Sequence, residues 1–137
     1  MRILAFDPGE NTGWAYMDTS KPEYFEAGTV VREFEGIESL IAFYSPHIVV
    51  YEAFRLYPGK ATSMAWNDFY PVQVIGIIKF LCEKSGIQYE EQAASVKTYS
   101  GGVDDRWVKY KAPDKTEHSK DAYLHLKYYL RATKTPH

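Results

Sequence analysis

The opening of the chain constrains the fold more than any other stretch. Ile3–Phe6 is a run of four apolar residues, and Pro8 follows too soon for this run to form a helix. The run therefore predicts a buried β-strand that Asp7 closes before a Pro-Gly turn. The next apolar stretch, Trp14–Tyr16, is close enough to be an antiparallel neighbour. A carboxylate at the end of a rigid strand suits a metal ligand or catalytic acid, although Asp also commonly caps such a turn.

The remaining segments predict a sheet with helices on its faces. Aromatic and β-branched residues over Glu23–Arg32 predict a third strand. The apolar segment His47–Tyr51 predicts a fourth strand, parallel to the first. A short fifth strand is predicted over Ile87–Glu91. Helical spacing of apolar residues predicts a helix over Glu35–Tyr44 and another over Val72–Ser85, which Gly86 ends. A last helix is predicted from an N-cap at Asp114, paired with Glu117, to Arg131. One or two helical turns are expected at Ala93–Tyr99. This order predicts an α/β fold with a mixed sheet, in a single domain over residues 1–137.

Composition excludes several classes of protein. The one cysteine, Cys82, forms no intramolecular disulfide and no cysteine-based zinc cluster. No apolar run approaches the length of a membrane span, so a cytoplasmic location is expected. The net charge of −2 is unevenly spread: residues 1–53 hold 3 Lys/Arg and 9 Asp/Glu, whereas residues 97–137 hold 9 and 5. This asymmetry permits a phosphate-binding face beside a carboxylate-rich one.

Four polar residues are candidates for one site. Asp7 and Glu52 end two strands that are predicted to be neighbours, about 4.8 Å apart. His118 and Asp121 lie three residues apart on one face of the last helix. Oxygen-rich sites of this kind favour Mg²⁺ or Mn²⁺, and two such ions about 4 Å apart support phosphodiester hydrolysis. The alternative is that the helix residues simply face solvent.

Five segments, in order, resemble the RuvC group of Holliday-junction resolvases of the RNase H-like superfamily. These are I-L-A-F-D-P-G-E-N-T-G-W-A at the start, I-V-V-Y-E-A-F around Glu52, Q-V-I-G-I-I-K-F-L at Gln73–Leu81, S-V-K-T-Y-S-G-G at Ser95–Gly102, and H-S-K-D-A-Y at His118–Tyr123. The last is similar to the family's final-helix motif, in which an Asp or His precedes the final Asp by three residues. The short chain is similar to the compact members carried by bacteriophages.

The resemblance implies an RNase H-like five-stranded mixed sheet with helices on both faces. It also implies that Asp7, Glu52, His118 and Asp121 are catalytic and bind two Mg²⁺ or Mn²⁺ ions. The family dimerises through its long central helix, here Val72–Cys82, and cuts symmetric four-way DNA junctions by paired nicks. Glu117, four residues before Asp121, is an alternative ligand that fits the helix cap better.

Local basic and aromatic residues are the candidates for DNA contacts, because the chain as a whole is acidic. The candidates for phosphate contacts are Arg55, Lys60, Lys97, Arg106, Lys109, Lys111 and Lys115. The candidates for base stacking are Phe54, Tyr57 and Trp66. For each aromatic residue, packing within the loop or at the dimer interface is at least as good an interpretation.

Three other functions are weighed against junction resolution. D-P-G-E-N-T-G is also similar to the first phosphate loop of actin-like ATPases, but the chain is too short for their two domains and offers only Ser100–Gly102 as a second glycine-rich segment. An RNase H-like nuclease acting on structured RNA, similar to the YqgF group, would share the site and change the substrate. A non-catalytic junction-binding module would have no use for a cluster of mutually repelling carboxylates.

Overall fold

The computed structural model describes residues 1–31, 34–54, 69–110 and 116–137. Within these ranges five strands form one sheet: β1 (Arg2–Asp7), β2 (Asn11–Asp18), β3 (Glu26–Val31), β4 (Ile48–Glu52) and β5 (Gln88–Gln92). Their spatial order is β3-β2-β1-β4-β5. β1 pairs antiparallel with β2 and parallel with β4, while β5 runs parallel to β4. The predicted α/β fold with a mixed five-stranded sheet is therefore confirmed.

Helices cover both faces of this sheet. They are α1 (Phe34–Tyr44), α2 (Tyr70–Ser85), α3 (Asp105–Lys109) and α4 (Glu117–Ala132), and a 3₁₀ helix spans Ala94–Tyr99. α2 ends at Gly86, whose φ of 69° lies in the left-handed region that glycine adopts without strain. None of the helices in the described ranges has the length and apolarity needed to cross a bilayer.

The alternation of side chains along β1 divides the core into two layers. Ile3 and Ala5 pack with Leu126 and Leu130 of α4 on one face. Leu4 and Phe6 pack on the other face with residues of α1 and α2, including Ile41 and Ile78. β1 is therefore buried on both sides, which explains why its sequence is continuously apolar rather than alternating.

The structure corrects the predicted start of the last helix. Asp114 lies outside the described residues, and the N-cap is Thr116, not Asp114. The Thr116 side chain accepts from the backbone N–H of Ser119 at 3.2 Å, and the Ser119 hydroxyl accepts from the backbone N–H of Thr116 at 2.8 Å. This reciprocal pair is a capping box, and it leaves Glu117 exposed beside Lys120 rather than in the cap.

Other boundaries differ less. The third strand begins at Glu26 because the chain turns before it, with Tyr24 N–H donating to the carbonyl of Lys21; Arg32 lies outside the described residues. α2 begins two residues earlier than predicted, at Tyr70. Pro71 fits in its first turn because proline has no backbone N–H, and an N–H at that position would have no partner within the helix. α3 was not predicted at all: five residues are too few for a visible helical period, and its cap is the Asp104 side chain.

Candidate active site

Asp7 and Glu52 lie side by side because β1 and β4 are parallel neighbours. The register pairs Phe6 with Tyr51, so the next residue on each strand is a carboxylate at the same edge of the sheet. The two side chains are close enough for Glu52 to raise the pKa of Asp7, and both are largely withdrawn from solvent. Two acids that the backbone holds this close cannot both carry a full charge without a nearby cation.

α4 brings the other two candidates to this edge. β2 pairs Gly13 with Asp7, and α4 packs directly on that glycine: a Cβ at position 13 would lie 1.9 Å from the carbonyl oxygen of His118. The absence of a side chain therefore lets the first turn of α4 approach β2 beside Asp7. His118 Nδ1 lies 3.8 Å from Asp7 Oδ2, and Asp121 is close enough to raise the pKa of Asp7.

Lys97, from the 3₁₀ helix, places its ammonium group among the carboxylates. Its Nζ lies 2.8 Å from Glu52 Oε1 and 3.6 Å from Asp121 Oδ2. Burial lowers the pKa of Lys97, but its hydrogen bond and charge interaction with Glu52 outweigh burial and raise the pKa overall. The ammonium is thus held in its charged form between two of the predicted metal ligands.

The pKa values of the two strand-end carboxylates are shifted in opposite directions. Burial, followed by the charges of Glu52 and Asp121, raises the pKa of Asp7 from 3.8 to about 8. Burial also acts to raise the pKa of Glu52, but hydrogen bonds from His125 and Lys97 outweigh it and lower that pKa from 4.5 to about 2. At neutral pH, Asp7 therefore holds a proton while Glu52 is ionised.

Two further residues contact this cluster that the sequence interpretation missed. His125 of α4 lies with Nε2 2.9 Å from Glu52 Oε1 and Nδ1 2.7 Å from Gln92 Oε1. The sequence did carry a signal for His125, because it follows Asp121 by four residues and so shares its helix face. Gln92 offered no such signal, since its position depends on the pairing of β4 with β5.

Solved resolvase structures share this architecture along most of the chain. Thermus thermophilus RuvC in complex with a Holliday junction substrate has a TM-score of 0.69 and 13% identity, with 96% of each chain covered. The fowlpox virus resolvase in complex with Holliday junction DNA has a TM-score of 0.59 and 15% identity over 92% of this chain and 97% of the other. The yeast mitochondrial Holliday junction resolvase Ydc2 has a TM-score of 0.57 and 11% identity over 94% and 77%.

The chain has the RNase H-like fold of the RuvC resolvases. At the level of sequence, no family model and no curated protein matches it. The likeness to RuvC is therefore one of fold, and the chemistry of the site must be argued from this chain's own residues.

The side chains at the edge of this RuvC-like sheet suit a hard divalent cation. Asp7, Glu52 and Asp121 supply carboxylate oxygens, the ligands that Mg²⁺ and Mn²⁺ prefer. Two observations fit such an ion: burial and the charges of Glu52 and Asp121 raise the pKa of Asp7, and the positive charge of Lys97 already lies between the other two carboxylates. Within the described ranges, no three His, Cys, Asp or Glu side chains are arranged to hold an ion as they stand, so metal binding would require these side chains to rearrange. It would also require Asp7 to be deprotonated, because a carboxylate binds a metal in its ionised form.

The structure separates the residues predicted to contact DNA. Lys97 belongs to the carboxylate cluster. Arg106 and Lys109 lie on α3, in a cleft of about 420 Å³ that also includes Phe25 and Tyr110. Phe54 is partly buried against the core under α1 and α2. The other candidates, Arg55, Tyr57, Lys60, Trp66, Lys111 and Lys115, lie outside the described residues.

Proposed function

We propose that this chain is a divalent-metal-dependent endonuclease that resolves four-way DNA junctions by paired, symmetric nicks. One observation carries the proposal: Asp7 and Glu52 end two adjacent parallel strands, with Asp121 of α4 close enough to interact with both Asp7 and Lys97. The fold supports the substrate class, since two of the similar structures were solved with Holliday junction DNA.

The predicted ligands are Asp7, Glu52, His118 and Asp121. Two Mg²⁺ or Mn²⁺ ions held by them would supply an activated water for attack on phosphorus and stabilisation of the leaving 3′ oxygen. The protein's own contribution is rigidity, because two of the four ligands project from core strands. His118 is the most accessible member, with 49% of its side chain exposed, so it is placed to face an incoming DNA strand.

Lys97 has a second role in this proposal. Its ammonium group lies beside Glu52 and Asp121, where it could neutralise the negative charge of a phosphate oxygen that enters the site. A phosphate entering the cluster offers Lys97 a new partner. This is how we interpret its predicted phosphate contact.

The outer surface of α2 supports the proposed dimer. Val74, Ile75, Ile78 and Cys82 face the core, yet Val72 and Phe80 on the opposite side are 45% and 60% exposed. Apolar side chains on the outer face of a packed helix are typical of an association surface. Self-association of two copies through α2 would hold two sites at a fixed separation, as paired nicking requires.

A cytoplasmic location and a bacteriophage origin stay predictions.

The decisive experiment compares labelled four-way DNA junctions with linear duplex, Y-forks and RNA hairpins, in Mg²⁺, Mn²⁺ or EDTA. We expect paired nicks near the crossover of the junction that depend on the metal. Asp7→Asn should abolish cutting and leave junction binding largely intact, because the variant keeps the shape of the protonated acid and cannot ligate as a carboxylate.

The other outcomes separate the alternatives. Cleavage of the RNA hairpin alone would keep the site and replace the substrate with structured RNA. A folded protein that binds junctions and cuts nothing would be a non-catalytic binding module. Full activity of Asp7→Asn would contradict the assignment of the site.

A further inference from the structure

His125 is buried in a place where an apolar residue would ordinarily lie. None of its surface is exposed, and its neighbours on α4, Ala122 and Leu126, belong to the apolar core against the sheet. A buried imidazole costs free energy unless both nitrogens find partners. Here both do, at 2.9 Å to Glu52 and 2.7 Å to Gln92.

The pairing of β4 with β5 explains why Gln92 lies behind this histidine. The register pairs Gln92 with Glu52, and the backbone N–H of Ala53 donates to the carbonyl of Gln92 at 2.8 Å. Strand pairing thus holds Gln92 beside Glu52, and α4 places the imidazole of His125 in contact with both side chains. The three side chains form a chain that runs from the interior to the site.

The partner of Nε2 fixes the direction of the bond to Glu52. An ionised carboxylate only accepts hydrogen bonds, and Oε1 of Glu52 lies 2.8 Å from the Lys97 ammonium and 2.9 Å from Nε2 of His125. Nε2 therefore carries a proton and donates it to Glu52. The amide Nε2 of Gln92 has no hydrogen-bond partner among the described residues. If the amide is turned over, that nitrogen donates to Nδ1, so Nδ1 accepts from Gln92 while Nε2 donates to Glu52.

We propose that His125 is a positioning residue, supported by Gln92, that fixes the orientation of the Glu52 carboxylate for metal binding. Oε1 of Glu52 accepts from both His125 and Lys97, so the carboxylate cannot rotate freely about its last torsion. Asp7, at the end of the adjacent parallel strand, then lies beside a carboxylate that is held in one orientation. This inference rests on the proposed metal site, and His125 itself need not contact metal or DNA.

Two substitutions of similar polarity separate the two bonds of His125. In His125→Gln the amide nitrogen reaches the position of Nε2 and retains the donor to Glu52. In His125→Asn the shorter amide lies near the position of Nδ1, so it retains the contact with Gln92 and loses Glu52. The readout is the Kd for Mn²⁺ of the DNA-free protein, followed by electron paramagnetic resonance, alongside the melting temperature in EDTA and the cleavage rate.

We expect His125→Asn to weaken Mn²⁺ binding about tenfold or more, as loss of a group that orients a metal ligand typically does, and His125→Gln to remain near the wild-type Kd. Gln92→Met, which removes the amide that contacts Nδ1 of His125, should weaken binding in the same direction by less. His137→Gln, a change of an exposed histidine at the C-terminus, is the control. Each Kd is compared only between variants that melt cooperatively.

Equal Mn²⁺ affinities of the Asn and Gln variants would overturn the inference. Losses of affinity that simply follow the losses of melting temperature would overturn it too, since His125 would then serve the fold alone. A wild-type protein that binds Mn²⁺ and cuts no nucleic acid would contradict the proposed function while these affinities still decide the role of His125. A wild-type protein that binds no Mn²⁺ would overturn both.

Discussion

The two faces of the sheet are built in different ways. On the α4 face the helix buries Ser119, His125 and Lys127, and each has a hydrogen-bond partner: the Lys127 ammonium, for example, donates to the carbonyl of Gly102 at 2.8 Å. On the opposite face, α1 and α2 bury aliphatic side chains and Cys82. The first interface combines apolar packing with directional bonds, whereas the second is held by packing.

This difference corresponds to what each face has to do. Hydrogen bonds depend steeply on angle, so they fix the rotation and height of α4 above the strand ends that carry Asp7 and Glu52. Hydrophobic burial is non-directional and tolerates small adjustments between α1, α2 and the sheet. We therefore expect changes at the α4 face to disturb the site, and changes at the outer surface of α2 to disturb association.

The largest effect should come from closing the gap between β2 and α4. Gly13→Ala puts a Cβ 1.9 Å from the carbonyl oxygen of His118 and 2.6 Å from the amide nitrogen of Ser119. Both are backbone atoms of the first turn of α4, so the helix must move away from the strand. We expect a loss of about 3 kcal/mol in the free energy of unfolding, measured by urea denaturation, together with loss of cleavage by the protein that remains folded. Unchanged stability would mean that α4 does not pack on β2 at this point.

The glycine also shows where sequence interpretation succeeds and where it stops. The strands β1 and β4 could be predicted because each is a continuous apolar run that ends in an acid, and those acids pointed to the site. Gly13 was recognised only as part of a motif, because its role is an approach between two elements that are distant in sequence. The Thr116 cap was missed because Asp114 and Glu117 offered a competing pattern. Gln92 could not be assigned before the register of β5 was known.

Next in size is an effect on association. Phe80→Glu places a charge on the outer surface of α2, where the phenyl ring is 60% exposed. If that surface is the dimer interface, burial of the carboxylate there is strongly unfavourable. Sedimentation velocity should show a monomer with the melting temperature of its subunit little changed, and junctions should receive single nicks instead of paired ones.

The matched control for this charge is Tyr24→Glu. Tyr24 is also an exposed aromatic residue, 72% accessible, and it lies in the turn before β3, away from α2. It should leave both the dimer and the paired nicks intact. Dimers of Phe80→Glu at the wild-type affinity would place the association surface elsewhere.

A smaller effect concerns pH, and it belongs to the α4 face. The pKa of Asp7 is raised from 3.8 to about 8, so the folded protein retains a proton that the unfolded chain releases. Its stabilising effect is complete below about pH 4 and is lost as the pH rises through 8. Glu52 acts in the opposite sense: its pKa is lowered from 4.5 to about 2, so its stabilising effect is present above pH 4.5 and is lost as the pH falls towards 2.

The test is to compare melting temperatures in EDTA between pH 5 and pH 9. The wild type should lose stability over this range relative to Asp7→Asn, because an amide has no proton to lose. The Cys82 thiol on the opposite face has a pKa raised by burial from 9.0 to about 11; the small slope that it adds near pH 9 is common to both proteins and cancels in the comparison. Added Mg²⁺ should restore the wild type at pH 9 and leave Asp7→Asn unchanged. Parallel pH curves for the two proteins would contradict the assigned proton.

The smallest effect comes from the counterpart of Gly13 on the other face. Gly76 lies within α2, and a Cβ there would meet no atom within 4 Å among the described residues. Alanine in a helix interior is roughly 0.5–1 kcal/mol more favourable than glycine, so Gly76→Ala should raise the free energy of unfolding by that amount in the same urea experiment. The measurement is best made in the Phe80→Glu background, where a second copy is not expected to cover α2. If Gly76→Ala raises the free energy of unfolding in the Phe80→Glu background but not in the dimeric protein, the partner helix approaches Gly76 closely. A lower free energy of unfolding in both proteins would contradict an open outer surface on α2.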